Sequence, residues 1–208
     1  MARNNQVKKG AGKEKFSLIV DGETEIWYFQ LMKQHESLSI DIKPEIPKRK
    51  SLQAQFEMVA ENAKHYDKVF WLVDYDAILK ENKETKKGQK SIIQVFIEYK
   101  EKLSKVANTV VLVINPCWEF WLLAHFEETS KFYSTCEEAE KALKKHLPAY
   151  QKTEEYYKKA NHDLYQQLKT AQAYALKNAK KQGNFDIEKP YSAISEVFIL
   201  FEMLKIGS

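Results

Sequence analysis

The sequence predicts an α/β fold: a mainly parallel central sheet of about four strands flanked by helices, with a helix-rich C-terminal portion. Three observations predict it. Four short apolar segments, KFSLIV (15–20), SLSIDIKPEIP (37–47), KVFWLVDYD (68–76) and NTVVLVIN (108–115), are separated by stretches whose apolar residues recur at helical spacing. A strand–helix alternation of this kind is what parallel strands joined by crossover helices produce. The third and fourth segments are also unbrokenly apolar through their middles, which suits strands covered on both faces.

Each element follows from its own residues. KFSLIV runs into Asp21-Gly22-Glu23, where Gly22 supplies a turn. TEIWYFQLMKQHE (24–36) spaces Trp27 or Tyr28, Leu31 and Met32 as a helix would. The second strand is closed by prolines. SLQAQFEMVAENAKHY (51–66) puts Leu52, Phe56, Val59 and Ala63 on one stripe, with Ser51 as the expected cap. The third strand delivers Asp74 and Asp76, and ENKETKKGQK (81–90) reads as a polar loop. Residues 91–104 predict a helix carrying Ile92, Val95, Phe96 and Leu103. After the fourth strand, PCWEFWLLAHF (116–126) predicts a helix with Asn115 as cap and Pro116 in the first turn, where proline is favoured. From about residue 137 onward, CEEAEKALKKHL, YQKTEEYYKKA, HDLYQQLKTAQAYALKNAKKQ and YSAISEVFILFEML predict further helices. Gly183 is expected to stop the third of these. In the last, Ile194, Val197, Phe198 and Phe201 form a packing face.

The totals bound the function classes. A chain of 208 residues with 44% hydrophobic and 30% charged residues is ordinary soluble globular composition. Residues 1–14 are expected to be a disordered basic tail and 15–208 a single domain. No apolar run approaches the ~20 residues of a membrane span, and no apolar signal segment opens the sequence, so a cytoplasmic location is expected. Cys117 and Cys136 are too few for a disulfide framework. The net charge of +4 is mild, but lysines come in runs, Lys48-Arg49-Lys50 among them. Such runs are either solvated surface or contacts to a polyanion.

The chemistry lies in the carboxylates. Sites in parallel sheets form where the C-terminal ends of strands meet. Asp21 and Glu23 follow the first strand, Asp74 and Asp76 the third, and Glu119 begins the helix after the fourth. In an extended chain Asp74 and Asp76 point the same way, and like charges held together repel unless a cation intervenes. Magnesium, which takes oxygen ligands, would resolve that repulsion and polarise a phosphoryl group. The rival reading makes the aspartates turn or cap residues and Glu23 and Glu25 first-turn acids favoured by the helix dipole. In the helix NPCWEFWLLAHF the tryptophans and His125 read as core. Glu119, a charge in apolar surroundings, needs a cation, a proton or a lysine partner.

LIVDGETEIWYF, VFWLVDYDA and NPCWEFWLLAHF, in this order, resemble the RloB family, as does the closing NFDIEKPYSAISEVFILFEML. The Asn-Pro-Cys-Trp-Glu-Phe-Trp-Leu-Leu block is the most specific part, and the likeness spans roughly residues 16–206. These are small bacterial proteins found near restriction and abortive-infection genes, and the family is similar to Toprim domains. The resemblance implies a magnesium-dependent (or manganese-dependent) phosphodiester-cleaving enzyme, a nuclease of phage defence acting on nucleic acid. By position it implies metal ligands at Asp21, Asp74 and Asp76; the residues themselves leave Glu23 as an alternative to Asp21 and Glu119 as a supporting acid. The first acid is commonly glutamate in Toprim domains, and Asp21 is shorter. Lys48, Arg49 and Lys50 are the expected phosphate contacts. The resemblance also implies an ATPase partner from the same operon. It leaves two rival readings: a non-catalytic subunit of that ATPase, or a nucleotide phosphotransfer enzyme.

Overall fold

In a computed structural model of the chain, residues 13–38, 40–48, 51–86 and 88–207 are described. Most of the expected tail at 1–14 lies outside these residues, as do Arg49 and Lys50. The described elements run β1 (Lys15–Ile19), α1 (Glu23–His35), β2 (Asp41–Glu45), α2 (Leu52–Asn62), β3 (Lys68–Asp74), α3 (Tyr75–Glu84), α4 (Ile92–Ser104), β4 (Thr109–Asn115) and α5 (Trp118–Leu123). The C-terminal portion adds α6 (Cys136–Leu143), α7 (Glu154–Tyr157), α8 (Leu164–Lys169), α9 (Gln172–Gln182), β5 (Ile194–Ser195) and α10 (Val197–Leu204).

The sheet has the order β2-β1-β3-β4-β5, with β1 to β4 parallel and β5 antiparallel to β4. This is the expected α/β architecture with one more strand. Ile194-Ser195, expected inside the last helix, pairs with Ile114 and Asn115. Both faces are covered. Phe16, Leu18, Phe70, Leu72, Leu112 and Ile114 point into a core with α1, α5 and the C-terminal helices. Ile19, Val69, Trp71, Val73 and Val113 point into a second core with α2, α3 and α4. This period of two along each strand is the pleat at work, and it explains why the strands read as unbroken apolar runs. Pro44 lies in β2, an edge strand, where a missing N–H costs no ladder bond.

Helix α1 covers one face of the sheet and α2 the other. The winding therefore reverses between β1 and β3. In doubly wound sheets a crevice opens at such a point, outside the carboxyl ends of the strands. Asp21 lies two residues past the end of β1 and Asp74 is the last residue of β3.

Several boundaries differ from expectation. The strand KVFWLVDYD gives way to α3 at Tyr75, so Asp76 sits in a first helical turn rather than in extended chain. Helix α5 is capped at Cys117, not Asn115. Asn115 instead ends β4, joined to Pro116 by a cis peptide bond. The segment 162–182 splits into α8 and α9, and only Glu154–Tyr157 of 150–160 is α-helical. Ser51 caps α2 as its sequence predicts, accepting a hydrogen bond from the Ala54 N–H at 3.2 Å. Among the described residues no helix is long and apolar enough to cross a membrane.

Candidate active site

Two sharp strand-to-helix turns, β1–α1 and β3–α3, bring Asp21, Asp74 and Asp76 to this rim of the sheet. Asp74 closes β3 with an extended backbone, and its carboxylate makes no capping bond to α3. The peptide N–H of Asp76 donates to the Pro116 carbonyl at 3.1 Å, which ties the start of α3 to the loop ahead of α5. Asp21 is oriented from α2: Gln55 Nε2 donates to Asp21 Oδ1 at 2.7 Å, while Trp71 Nε1 on β3 donates to Gln55 Oε1 at 2.7 Å. Gln55 and Trp71 are buried, so this relay is locked by the core on the α2 side of the sheet.

A fourth acid joins them. Glu25, in the first turn of α1, is only 2% exposed. Its position depends on Gly22: a methyl group there would stand 2.9 Å from Glu25 Oε2. Thr24 Oγ1 donates to the same oxygen. Glu23, the expected alternative to Asp21, is instead exposed at the first residue of α1. The buried acid of the DGETE segment whose charge acts on Asp74 is therefore Glu25. Helical geometry explains the exchange, because two positions along a helix turn a side chain about 200° around the axis.

The electrostatics follow from crowding and burial. Burial is the largest force raising the Asp74 carboxyl well above the usual carboxylate range, followed by the charges of Glu25, Asp21, Asp76 and Glu119. Burial likewise pushes Glu25 up to about 7, with Asp21 and Glu119 adding to it. Asp76 is pushed up to about 6 by burial, against the pull of the Ala77 and Cys136 backbone amides. The charges acting most strongly on Asp74 are thus all carboxylates. Acids held together in this way share protons or a hard cation.

Glu119 stands at the edge of this field and is otherwise satisfied. At 2% exposure it accepts from the Tyr150 hydroxyl at 2.8 Å and pairs with Lys152 Nζ at 2.9 Å, both at Oε1. Tyr150 and Tyr157 hydroxyls lie 2.9 Å apart, and burial keeps both protonated. Glu119 Oε2 lies 3.1 and 2.8 Å from the sulfurs of Cys117 and Cys136, which form a disulfide. Cys117 caps α5 and Cys136 begins α6, and the two sulfurs and an Asp76 carboxylate oxygen lie within 4.8 Å of one another. Nineteen positions separate the pair, so only the fold reveals it.

Of the remaining candidates, Lys48 is exposed in the loop after edge strand β2, at the same rim of the sheet. His125 is buried in the core, its Nδ1 facing the Trp121 and Leu122 carbonyls at 3.2 Å, and burial pulls its pKa down to about 4. It is a neutral packing residue, as its helix pattern indicates.

The family model for RloB-like proteins matches residues 16–204, nearly the whole chain. The chain belongs to the RloB-like protein family. A search of curated proteins finds no match, and a search of solved structures finds none. Within this RloB-like chain the matched region contains each acid of the crevice. The residues that sequence reasoning missed are Glu25 as a member of the cluster and Gln55 as the group that aims Asp21. Glu25 had a signal: it is the second acid of a first turn that follows a glycine. Gln55 had none, because an amide on an amphipathic helix reads as surface.

Proposed function

We propose that this RloB-like protein is a magnesium- or manganese-dependent phosphodiester-cleaving enzyme acting on nucleic acid in bacterial phage defence, in the cytoplasm and alongside an ATPase from its own operon. The observation that carries the reading is the placing of Asp21 and Asp74 at the ends of β1 and β3, at the reversal point of the sheet, with the charges of Glu25, Asp21 and Asp76 all acting on the buried Asp74 carboxyl. An all-oxygen donor set of this charge fits a hard divalent cation. Asp74 and Asp76 would hold it, with Asp21 or Glu25 completing the set. When bound, the ion supplies Lewis-acid polarisation of the phosphoryl group and a more acidic water. The chain's own residues do the rest. Gln55 fixes the Asp21 carboxylate. Glu25, with its carboxyl near neutrality, is placed to take a proton. Glu119, already paired with Lys152 and Tyr150, ties α5 to the segment after α6 and adds negative field.

The test uses end-labelled single-stranded DNA, duplex DNA and RNA, with nucleoside triphosphates as a separate arm, in Mg²⁺, Mn²⁺ or EDTA. Strand cleavage that disappears in EDTA and in Asp74→Asn is expected. Turnover of the nucleotides alone would move the assignment to phosphotransfer. Absence of any turnover, with no Mn²⁺ binding by titration calorimetry, overturns the enzymatic reading in favour of a partner subunit.

A further inference from the structure

Asp76 opens onto a cleft of about 570 Å³ between α3 and the loop leading into α6. Asp76, Lys80 and Lys83 line it from α3 at positions i, i+4 and i+7, so they share one face of the helix. Both lysines are exposed. The stripe leads away from the acid cluster for about 10 Å, at 1.5 Å per residue. Opposite stand two aromatic side chains, Phe132 and Tyr191, whose rings meet edge to face with centroids 5.5 Å apart. Tyr191 is 70% exposed, an unusual state for a large aromatic ring. Its position is nonetheless anchored. Buried Asn115 donates from one amide nitrogen to the Pro190 carbonyl at 2.8 Å and the Ser192 carbonyl at 2.9 Å, on either side of Tyr191. Glu137 lies on the same wall and senses the Lys80 charge, so the basic character belongs to the α3 side.

We infer that this cleft seats a single-stranded segment of nucleic acid, with an unpaired base stacked on the exposed Tyr191 ring, which Phe132 supports edge-on, and its phosphates along Lys80 and Lys83 toward Asp76. The inference rests on the nuclease reading and gives it a substrate class. An aromatic face stacks on any base but reaches it only where the base is unpaired, because a duplex covers both faces of every base. The lysine stripe tracks the backbone without reading sequence. The two walls are therefore complementary to the two halves of a nucleotide.

Fluorescence anisotropy with labelled oligonucleotides tests this in EDTA, where nothing is cleaved, and again in Ca²⁺. A twelve-nucleotide single strand and its duplex are compared. The single strand binds more tightly than the duplex in both buffers. Tyr191→Ala weakens single-strand binding about tenfold and Tyr191→Phe preserves it. Lys80→Ala with Lys83→Ala reduces the slope of log affinity against log salt by roughly 0.7 per lysine. Tyr191 is exposed, so its loss leaves the fold intact, which circular dichroism checks. Equal affinity for duplex and single strand, or a Tyr191→Ala protein that binds as the native one does, overturns the inference. Because binding is read without metal, a chain that binds but never cleaves refutes the nuclease reading alone. A chain that cleaves with Tyr191 irrelevant refutes this cleft alone.

Discussion

At the scale of single residues, the site turns on which of two glutamates faces inward. Glu23 and Glu25 are equivalent in composition, but one is exposed and the other buried against Asp21 and Asp74. Glu23→Gln is therefore expected to leave Mn²⁺ affinity and cleavage within about twofold, because its side chain is exposed rather than buried with the other acids. Glu25→Gln is expected to weaken Mn²⁺ binding severalfold or more, measured by calorimetry on the same preparation. The reverse ranking would show that the DGETE turn presents its acids differently. Gln55 allows a complementary test. Gln55→Ala leaves the buried Trp71 N–H without the Gln55 acceptor and removes the Gln55 hydrogen bond to Asp21. The first loss costs about 1–3 kcal/mol of stability. The second, under the proposed metal binding, is expected to reduce metal affinity about 10- to 100-fold, the usual effect of losing an outer partner that orients a ligand. A Gln55→Ala protein with lowered stability but native metal affinity would reduce Gln55 to a packing role.

At the scale of elements, Asn115 shows how far the sequence could be read. It stood at the end of an apolar strand and ahead of a proline, where a helix cap is the usual assignment. The structure uses its side chain instead to bind two carbonyls more than seventy residues away. No local pattern encodes that partner. The same limit hid β5, whose two residues are strand only because β4 offers them an edge; alone, YSAISEVFILFEML has helical spacing throughout. Helix α3 was missed for a different reason: its polar residues after Leu79 face solvent and leave little periodicity to detect. What was legible was whatever packing dictates locally, namely the apolar strand runs, the Ser51 cap and the acids at strand ends. Asn115→Ala tests the element-level role. It is expected to cost about 1–3 kcal/mol, lowering Tm by a few degrees at this chain length. It should also speed amide hydrogen exchange across residues 186–196 more than in the core strands. Uniform exchange behaviour would mean that the segment before β5 is held by other contacts.

At the scale of the whole molecule, the buried acids make stability depend on pH, and the proposed metal binding predicts a dependence on metal as well. Below about pH 4.5 Glu25 is neutral whether the chain is folded or not. Between there and about 7, its raised folded value, only the unfolded chain ionises. The unfolded state then binds fewer protons, so stability conferred by Glu25 at low pH is lost as pH rises through this window. Asp76 acts in the same sense up to about pH 6. His125 opposes them: its depressed folded pKa removes stability as pH falls below about 6.5. The difference between native protein and Glu25→Gln cancels His125 and isolates the acid. Without metal, Glu25→Gln is expected to melt a few degrees higher than the native chain at pH 7.5. The gap should close toward pH 4.5, as followed by thermal denaturation. A divalent ion should invert the order, since it stabilises the ionised cluster it binds. At 100 times its Kd, Mn²⁺ adds about 2.7 kcal/mol, or some 5–10 °C at this size. The gain shrinks at pH 5.5, where protons compete for the same oxygens. Native protein whose melting temperature ignores both pH and Mn²⁺ would mean that its carboxylates are neutralised within the fold. The crevice between β1 and β3 would then lack the charge on which metal chemistry depends.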